Sequence, residues 1–240
     1  MPNDRSSEDK APHEVPAPRA WSWSRFARNA LVIGLTVGGA VWFWDQSLAP
    51  NLFPKNFGVV VEGAVYRSGE LTPAATRRVV RAHGIRTIVD LGAHEPGTPE
   101  EARAQATADA LGVERVALDL SGDATGDPNH YVTVLRIMAS EARQPVLVHC
   151  AAGSERTGCA VAMYRHIYQS IPQQDAVLEA QEHKHNPNKN PLLTPTFERW
   201  VNAVRRSIET GERIEWSREQ DLQLMRSVGL EPDADGNWSR

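Results

Sequence analysis

Residues 145–158 read PVLVHCAAGSERTG, an apolar run that leads directly into a thiol, small residues and a guanidinium. The run Pro145–Val148 is typical of a buried strand, and the pattern from Thr157 to Gln169 is typical of a helix. The sequence therefore predicts a strand that ends at Cys150, followed by a short loop and the N-terminus of a helix.

This loop has the chemistry of an anion site that carries a nucleophile. Backbone N–H groups at a helix N-terminus have no intrahelical partner, and the helix dipole adds partial positive charge there. Such a cradle binds a tetrahedral oxyanion and favours the thiolate form of Cys150. The planar fork of Arg156 can hold two phosphate oxygens. Together these groups indicate phosphoryl transfer through a cysteinyl-phosphate intermediate.

The sequence from His149 to Gly158 resembles the signature of the protein tyrosine phosphatase superfamily, in which five residues separate the cysteine from the arginine. The stretches Val65–Gly69 and Ile88–Gly92 resemble its atypical dual-specificity branch, and the likeness covers roughly residues 57–206. The resemblance implies a cysteine-phosphatase fold and a phosphomonoester hydrolase of the protein tyrosine or dual-specificity type. It also implies no metal and no other cofactor.

Composition limits the other possibilities. The chain has 240 residues, with 26 basic and 30 acidic side chains, which indicates one domain with extensions and argues against a nucleic-acid partner. Two cysteines, Cys150 and Cys159, exclude a disulfide framework and a multi-cysteine zinc site. Cys159 is interpreted as a small core residue or, alternatively, as a thiol that protects oxidised Cys150 as a disulfide.

Two segments precede the domain that carries the signature. Residues 1–25 are rich in proline, serine and charge, which predicts a disordered tail. Residues 26–45 include the uncharged run Ala30–Trp44, and with Arg28 snorkelling outward they approach the ~20 residues of a membrane-spanning helix. We expect a single transmembrane anchor here. The alternatives are a signal peptide with small residues at Ser47-Leu48-Ala49, or a buried core helix.

Flanking charges set the expected orientation of this anchor. Arg25 and Arg28 lie before the apolar run and Asp45 lies after it. The positive-inside rule then places the N-terminus in the cytoplasm and the catalytic domain on the opposite side, the periplasm in a bacterium. Secretion after signal cleavage is the alternative localisation.

Residues 57–210 alternate between strand and helix patterns, as in a sheet covered on both faces. A hairpin is expected over residues 57–67. Thr72 and Thr98, each followed by proline, predict helix starts, and Gly84 and Gly112 predict the corresponding helix ends. Further strands are expected at 85–91, 113–120 and 146–149, and further helices at 128–143, 173–183 and 195–209.

The predicted fold class is α/β, with a mostly parallel central sheet flanked by helices and preceded by a single N-terminal transmembrane helix. A linker at residues 46–56 joins the anchor to a phosphatase domain at 57–210. Residues 211–240 are expected to form a C-terminal helical extension, because their apolar residues have amphipathic spacing. Ligands of such sheets bind beyond the carboxyl ends of the strands, where the signature loop lies.

The signature suggests a role for each of its residues. Cys150 is the expected nucleophile, and His149 is expected to shape the loop rather than act as a base. The Thr157 hydroxyl is expected to help the sulfur leave in the second step, and its alternative is an ordinary first-turn residue. Gly153 and Gly158 are expected to permit tight curvature of the backbone. The expected phosphate-binding residues are Ala151, Ala152, Gly153, Ser154, Glu155 and Arg156.

The leaving group needs a proton donor from the loop before the preceding helix. Three carboxylates lie there: Asp119, Asp123 and Asp127. Asp119 ends a strand, Asp123 lies among glycines in the middle of the loop, and Asp127 precedes Pro128 as a helix cap does. The spacing of related sequences implies Asp123, and the other two remain alternatives.

The loop also bears on the substrate. The residues between Cys150 and Arg156 include no cation, and Glu155 would repel additional phosphates at short range. Phosphotyrosine or another single phosphate ester, on a protein or a small molecule, is therefore expected, with an inositol phosphate as the alternative. The basic segment 183–189 is interpreted as a solvated loop or, alternatively, as approaching the site. Four arginines outside the signature are expected to face solvent: Arg67, Arg77, Arg78 and Arg81.

Two other classes of protein compete with a phosphatase. A catalytically idle phosphate-binding module is disfavoured because Cys150, Arg156 and Thr157 are all present. A rhodanese-like sulfur transferase also has its cysteine in an anion-cradling loop, but the Arg-Thr-Gly ending argues against it. The oligomeric state and the role of the C-terminal extension stay open at this point.

Overall fold

The computed structural model describes residues 23–44, 48–232 and 238–239. The chain divides into two units, Met1–Trp44 and Asp45–Arg240. Most of the predicted disordered tail lies outside the described residues, and so does Ser47 of the alternative signal-cleavage site.

The first unit contains one described helix, α1 (Trp23–Phe43), which includes Arg28 and Asn29 in its first half. The apolar run that follows them, Ala30–Phe43, covers about 21 Å at about 1.5 Å per residue, whereas a hydrocarbon core is about 30 Å thick. Among the described residues, no helix is both long and apolar enough to cross a membrane. The predicted anchor at residues 26–45 is therefore wrong, as are that part of the fold class and the localisation derived from it.

The second unit is built on a mixed five-stranded sheet with the order β1-β2-β5-β3-β4. β1 runs antiparallel to β2 and completes the predicted hairpin, while the other neighbouring strands are parallel. Ser68 and Asp90 pair with His149 on either side, so these strands end together at one edge. The strands are β1 (Gly58–Val61), β2 (Val65–Ser68), β3 (Thr87–Asp90), β4 (Glu114–Ala117) and β5 (Val146–His149).

Helix boundaries follow local signals in the sequence. The Thr72 and Thr98 hydroxyls accept hydrogen bonds from N–H groups of the first turns, and left-handed Gly84 and Gly112 end the same helices, as predicted. The helix predicted at 128–143 already ends at Ala139. The helices are α2 (Ala49–Leu52), α3 (Pro73–His83), α4 (Pro99–Leu111), α5 (Asn129–Ala139), α6 (Glu155–Tyr168), α7 (Gln173–Glu182), α8 (Leu193–Thr210) and α9 (Arg218–Ser227).

The two faces of the sheet pack against different helices. Val146 and Val148 of β5 belong to the larger core, which includes buried residues of α5, α6 and α8. Leu147 belongs to a smaller core that includes Val79 and Val80 of α3. β5 is therefore buried on both faces, and Cys150 follows directly on the larger-core side.

The chain after α8 also packs on this unit. Ile214 and Trp216 contact the larger core, and Leu224 and Leu230 form a separate cluster with Leu192. Two short strands, β6 (Glu231–Pro232) and β7 (Trp238–Ser239), pair antiparallel after α9. The residues from 211 to 230 are thus held in place by both apolar and polar contacts.

Candidate active site

Cys150 lies directly after the central strand, at the carboxyl edge of the sheet. Its side chain is 1% exposed, and its Sγ accepts a hydrogen bond from the Gly153 N–H at 3.2 Å. Residues 151–154 form the loop, and α6 begins at Glu155. The predicted order of strand, loop and helix is confirmed.

Gly153 gives the loop its curvature. Its φ is +75°, and a Cβ built on it would lie 2.5 Å from the Gly69 backbone nitrogen and 2.6 Å from the Ser68 carbonyl. No side chain fits there, and L-residues avoid this backbone conformation. The loop therefore packs on the chain that follows β2, which fixes the N–H that meets the sulfur.

Arg156 is held by backbone carbonyls from two neighbouring loops. Its Nη1 donates to Leu91 O at 2.9 Å, to Gly92 O, and to Leu120 O at 3.4 Å. Its Nε is buried and makes no hydrogen bond within the described part of the chain. The guanidinium is fixed at one edge, and its Nε edge is suited to grip two oxygens of a phosphate.

Asp90 supports the turn that supplies two of these carbonyls. Its Oδ1 accepts from the Ala93 N–H at 2.6 Å, and its Oδ2 pairs with buried Arg115 at 2.8 Å. Burial alone would raise the pKa of Asp90, but His149, the Ala93 N–H and Arg115 together hold it below its ordinary value. Asp90 therefore stays ionised and fixes the chain on which Arg156 rests.

Arg67 is buried, so the prediction that it faces solvent is wrong. Its side chain is 0% exposed, and its Nη2 donates to the Gly153 carbonyl at 2.8 Å. Burial lowers the pKa of Arg67 to about 10, while Glu179 and Cys150 oppose the shift, so the guanidinium stays charged at neutral pH. A second buried cation therefore contacts the signature loop. The other three arginines, Arg77, Arg78 and Arg81, are exposed as predicted.

Glu155 is engaged by the segment after α7. The Nδ1 of buried His185 lies 2.7 Å from its Oε2, and the Asn190 amide donates to its Oε1 at 3.1 Å. Both carboxylate oxygens of Glu155 are therefore in contact with polar groups of the protein. The interpretation of residues 183–189 as a solvated loop is wrong for His185, although Lys184 and Lys189 are exposed.

His149 lies with Leu147 along a cavity of about 310 Å³ between the sheet and helices α3 and α4. Burial lowers the pKa of His149 below its ordinary value, although Asp90 and a backbone hydrogen bond with Cys150 oppose this shift. A neutral imidazole that contacts the Cys150 backbone fits the expected role of shaping the loop.

The residues after Arg156 occupy the first turns of α6. Thr157 is 0% exposed, and its hydroxyl has no hydrogen-bond partner among the described residues. A Cβ on Gly158 would lie 3.1 Å from the Ala180 side chain and 3.2 Å from Leu193, so this glycine permits close helix packing rather than loop curvature. Burial raises the pKa of Cys159 to about 12, which favours its interpretation as an unreactive core residue.

Residues 119–127, called here the acid loop, carry the three candidate acids. Asp127 Oδ1 accepts from the Asn129 N–H at 2.9 Å, and its Oδ2 pairs with Arg213 at 3.0 Å, so this carboxylate has a structural role. Asp123 Oδ1 accepts from the N–H and hydroxyl of Thr125, whereas Asp119 is exposed. Because Leu120 O contacts Arg156, the acid loop begins beside the signature loop.

Sequence reasoning missed the burial of Arg67 and the pair formed by Glu155 and His185. A signal was available only for Arg67, because every residue of a central parallel strand tends to be buried, polar ones included. Within the described ranges, no group of three or more histidine, cysteine, aspartate and glutamate side chains is arranged to hold a metal ion.

A cysteine in an amide-lined loop between a buried strand and a helix, with a fixed arginine at the loop's far end, defines the class of cysteine phosphatases. The family model described as "DSP-PTPase phosphatase fused to NAD+ Kinase" matches residues 55–199. The chain belongs to this family of phosphatases, which confirms the resemblance drawn from its sequence.

Solved structures share the fold. The core catalytic domain of the PP-IP phosphatase SIW14 from S. cerevisiae is 22% identical, with a TM-score of 0.55, over 66% of this chain and 93% of that one. TpbA of P. aeruginosa is 23% identical, with a TM-score of 0.54, over 65% and 92% of the two chains. No curated protein matches the sequence. At these identities, the structural matches establish the fold alone.

Proposed function

We propose that this phosphatase hydrolyses phosphate monoesters through a cysteinyl-phosphate on Cys150. The observation that carries the proposal is the hydrogen bond from the Gly153 N–H to the sulfur, made directly before the N-terminus of α6. An amide N–H and a helix dipole both favour the thiolate, which is the nucleophilic form. The buried Arg67 guanidinium, which donates to the Gly153 carbonyl, adds positive charge next to the same loop.

In the first step, the Cys150 sulfur attacks phosphorus, and the bond between phosphorus and the ester oxygen breaks. Loop N–H groups and the Nε edge of Arg156 hold the three equatorial oxygens as charge develops on them. Asp123 gives its proton to the departing oxygen.

In the second step, water attacks the phosphorus of the cysteinyl-phosphate, and the bond between phosphorus and sulfur breaks. The Asp123 carboxylate takes the proton from the water and is again ready to act as the acid. Thr157 donates its hydroxyl to the departing sulfur, a role supported by its burial and its lack of another partner among the described residues.

Asp123→Asn should slow the enzyme most with substrates whose leaving group needs a proton. With phenyl phosphate we expect kcat/KM, which reports the first step alone, to fall by about 100-fold, and with the activated 2,4-dinitrophenyl phosphate by less than about threefold. Steady-state kinetics with both substrates test this.

Two further variants sharpen that comparison. In Asp119→Asn, any loss of activity should be the same for both leaving groups. The same is expected for the control Asp175→Asn, which changes an exposed carboxylate on α7. If Asp119→Asn shows the dependence and Asp123→Asn does not, Asp119 is the acid and the proposed assignment fails.

We propose phosphotyrosine in proteins as the principal substrate. The residues between Cys150 and Arg156 provide backbone N–H groups for one phosphate and no additional cation for a second. A TpbA structure with a similar fold contains phosphotyrosine.

A more highly phosphorylated inositol is the second candidate. The favouring observation is that His185 and Asn190 bind Glu155, which brings the basic segment 183–189 next to the signature loop. SIW14, a phosphatase of a similar fold, is named for inositol pyrophosphates.

A substrate panel separates these candidates. We expect kcat/KM for a phosphotyrosyl peptide to exceed that for inositol hexakisphosphate and a phosphoseryl peptide by about tenfold or more. NADP⁺ belongs in the panel because the family description names a fusion to NAD⁺ kinase. A preference for an inositol phosphate or for NADP⁺ would contradict the phosphotyrosine assignment while leaving the cysteine mechanism intact.

A further inference from the structure

The acid loop is bound from outside by residues that lie beyond the part of the chain matched by the family model. Asp221, in the first turn of α9, is 5% exposed, and its Oδ2 accepts a hydrogen bond from the Gly126 N–H at 3.1 Å. The same oxygen accepts from Trp216 Nε1 at 3.1 Å. The model match ends at residue 199, so this contact comes from the C-terminal extension.

A second set of contacts joins the extension to the end of the acid loop. Ile214 and Asn129 exchange two hydrogen bonds, from the Ile214 N–H at 3.0 Å and to the Ile214 carbonyl at 2.9 Å. Arg213 pairs with Asp127 at 3.0 Å. The loop is therefore held at Gly126 and again at its last residue, Asp127.

The C-terminal extension is itself fixed to the domain by apolar packing. Trp216 and Ile214 pack on the larger core, and Leu224 and Leu230 cluster with Leu192. A carboxylate fixed to such a support can restrain the backbone that it binds, whereas one on a frayed segment could not.

The acid loop also has hydrogen bonds of its own around Asp123, whose Oδ1 accepts from the N–H and hydroxyl of Thr125, and the Ala124 N–H donates to the Ser121 carbonyl. Ser121 N–H bonds to the Thr125 carbonyl within the loop, and the Tyr131 hydroxyl donates to the Ala124 carbonyl from α5. Gly126 has φ +119°, a conformation that glycine alone adopts readily, so the turn of the loop at this position depends on glycine. The Asp221 contact is made at that turn.

We propose that Asp221 is a positioning residue for the general acid: by binding the Gly126 N–H, it sets the conformation in which the acid loop presents its carboxyl group. This inference rests on the proposed function, because it assigns the loop the role of proton donor. It makes proton donation, rather than nucleophilic attack, depend on the C-terminal extension.

The charges around Asp221 suit this role. Burial raises the pKa of Asp221 to about 6, the Trp216 and Gly126 N–H groups oppose the shift, and Asp123 adds to it. Arg199 on α8 is the remaining charge that acts on it, and it lowers the pKa. The carboxylate therefore predominates at neutral pH, and it is the form that accepts both hydrogen bonds best.

The test uses the full chain and two substrates. We expect Asp221→Ala to lower kcat/KM, which reports the first step alone, by about tenfold for phenyl phosphate, part of the 10²–10⁴-fold that a general acid contributes, and by less than about twofold for 2,4-dinitrophenyl phosphate. Asp221→Asn keeps an acceptor oxygen and should restore most of the activity toward phenyl phosphate. Glu219→Ala, which removes an exposed carboxylate from the same helix, is the matched control and should match the unmodified enzyme.

Hydrogen exchange gives a readout that does not depend on catalysis. In Asp221→Ala, peptides that cover Gly126 should exchange faster than in the unmodified enzyme, while peptides from β5 stay unchanged. If Asp221→Ala does not fold, Trp216→Phe removes one donor to the same carboxylate and should cause a smaller change of the same kind. Equal losses with both substrates, or unchanged exchange at Gly126, would overturn the proposal.

The same assays separate this inference from the proposed function. If the loss of activity in Asp123→Asn depends on the leaving group and the loss in Asp221→Ala does not, the positioning role of Asp221 fails and the assignment of Asp123 as the acid stands. If only Asp221→Ala shows the dependence, the loop still supplies the acid, but Asp123 is not that acid. In the double variant, the loss should equal that of Asp123→Asn alone, because the two residues act on one step.

Discussion

We expect turnover of phenyl phosphate to fall by on the order of 10⁴-fold or more in Cys150→Ser, the scale of loss when a covalent nucleophile is removed. A serine hydroxyl fits the same loop and can accept from the Gly153 N–H, but it is not ionised at neutral pH. The binding groups remain, so inorganic phosphate and vanadate should still bind. Single-turnover kinetics and calorimetric titration measure the two effects separately.

Cys159→Ala is the matched control for the loss of a thiol. Cys159 is 0% exposed, and burial raises the pKa of its thiol to about 12, so it takes no part in nucleophilic chemistry. Its removal should leave kcat within about threefold of that of the unmodified enzyme. The free energy of unfolding should fall, because the core packs less well without the thiol. More than a tenth of the activity remaining in Cys150→Ser would contradict the nucleophile assignment.

The second large effect is expected at Arg156. We expect Arg156→Lys to lower kcat by about 10²–10³-fold, because it removes donors that stabilise charge in the transition state. A lysine ammonium is a single point charge. It cannot bind the carbonyls of Leu91 and Gly92 and also offer a planar fork to phosphate.

Arg165→Lys provides a comparison on the same helix. Arg165 makes two hydrogen bonds with Glu179, at 2.8 and 3.0 Å, so the change also replaces a planar fork by a point charge. We expect kcat to stay within about threefold, with a modest fall in thermal stability. If both variants lose activity equally, the effect at Arg156 is structural and the phosphate-binding role fails.

Local signals made much of the fold predictable. The caps at Thr72 and Thr98 and the glycines that end those helices act within a few residues, so the sequence alone identifies the boundaries. The signature loop is predictable for the same reason, because strand, loop and helix are contiguous from residue 146 onward.

The contacts that complete the site were not predictable, because they join distant parts of the chain. His185 lies 30 positions from Glu155, and Asp221 lies 95 positions from Gly126. Neither side chain carries a local pattern that identifies its partner. Arg67 was placed in solvent because arginine is rarely fully buried without a partner, and its partner is a carbonyl of the signature loop.

The error at the N-terminus has a different origin. The apolar run was extended toward the N-terminus past Arg28 on the assumption that this side chain snorkels. Within α1 the apolar run begins only at Ala30, after Arg28 and Asn29, and the length of that run decides whether the helix can cross a membrane.

The central claim is that Cys150 carries phosphate during turnover. Acid quenching within milliseconds of mixing with 2,4-dinitrophenyl phosphate, followed by peptide mass spectrometry, should find one added phosphoryl group on the peptide that contains Cys150. Asp123→Asn should accumulate more of this species, since the attack of water then lacks its base. An unmodified Cys150 during steady turnover, or phosphate on another residue, would contradict the account.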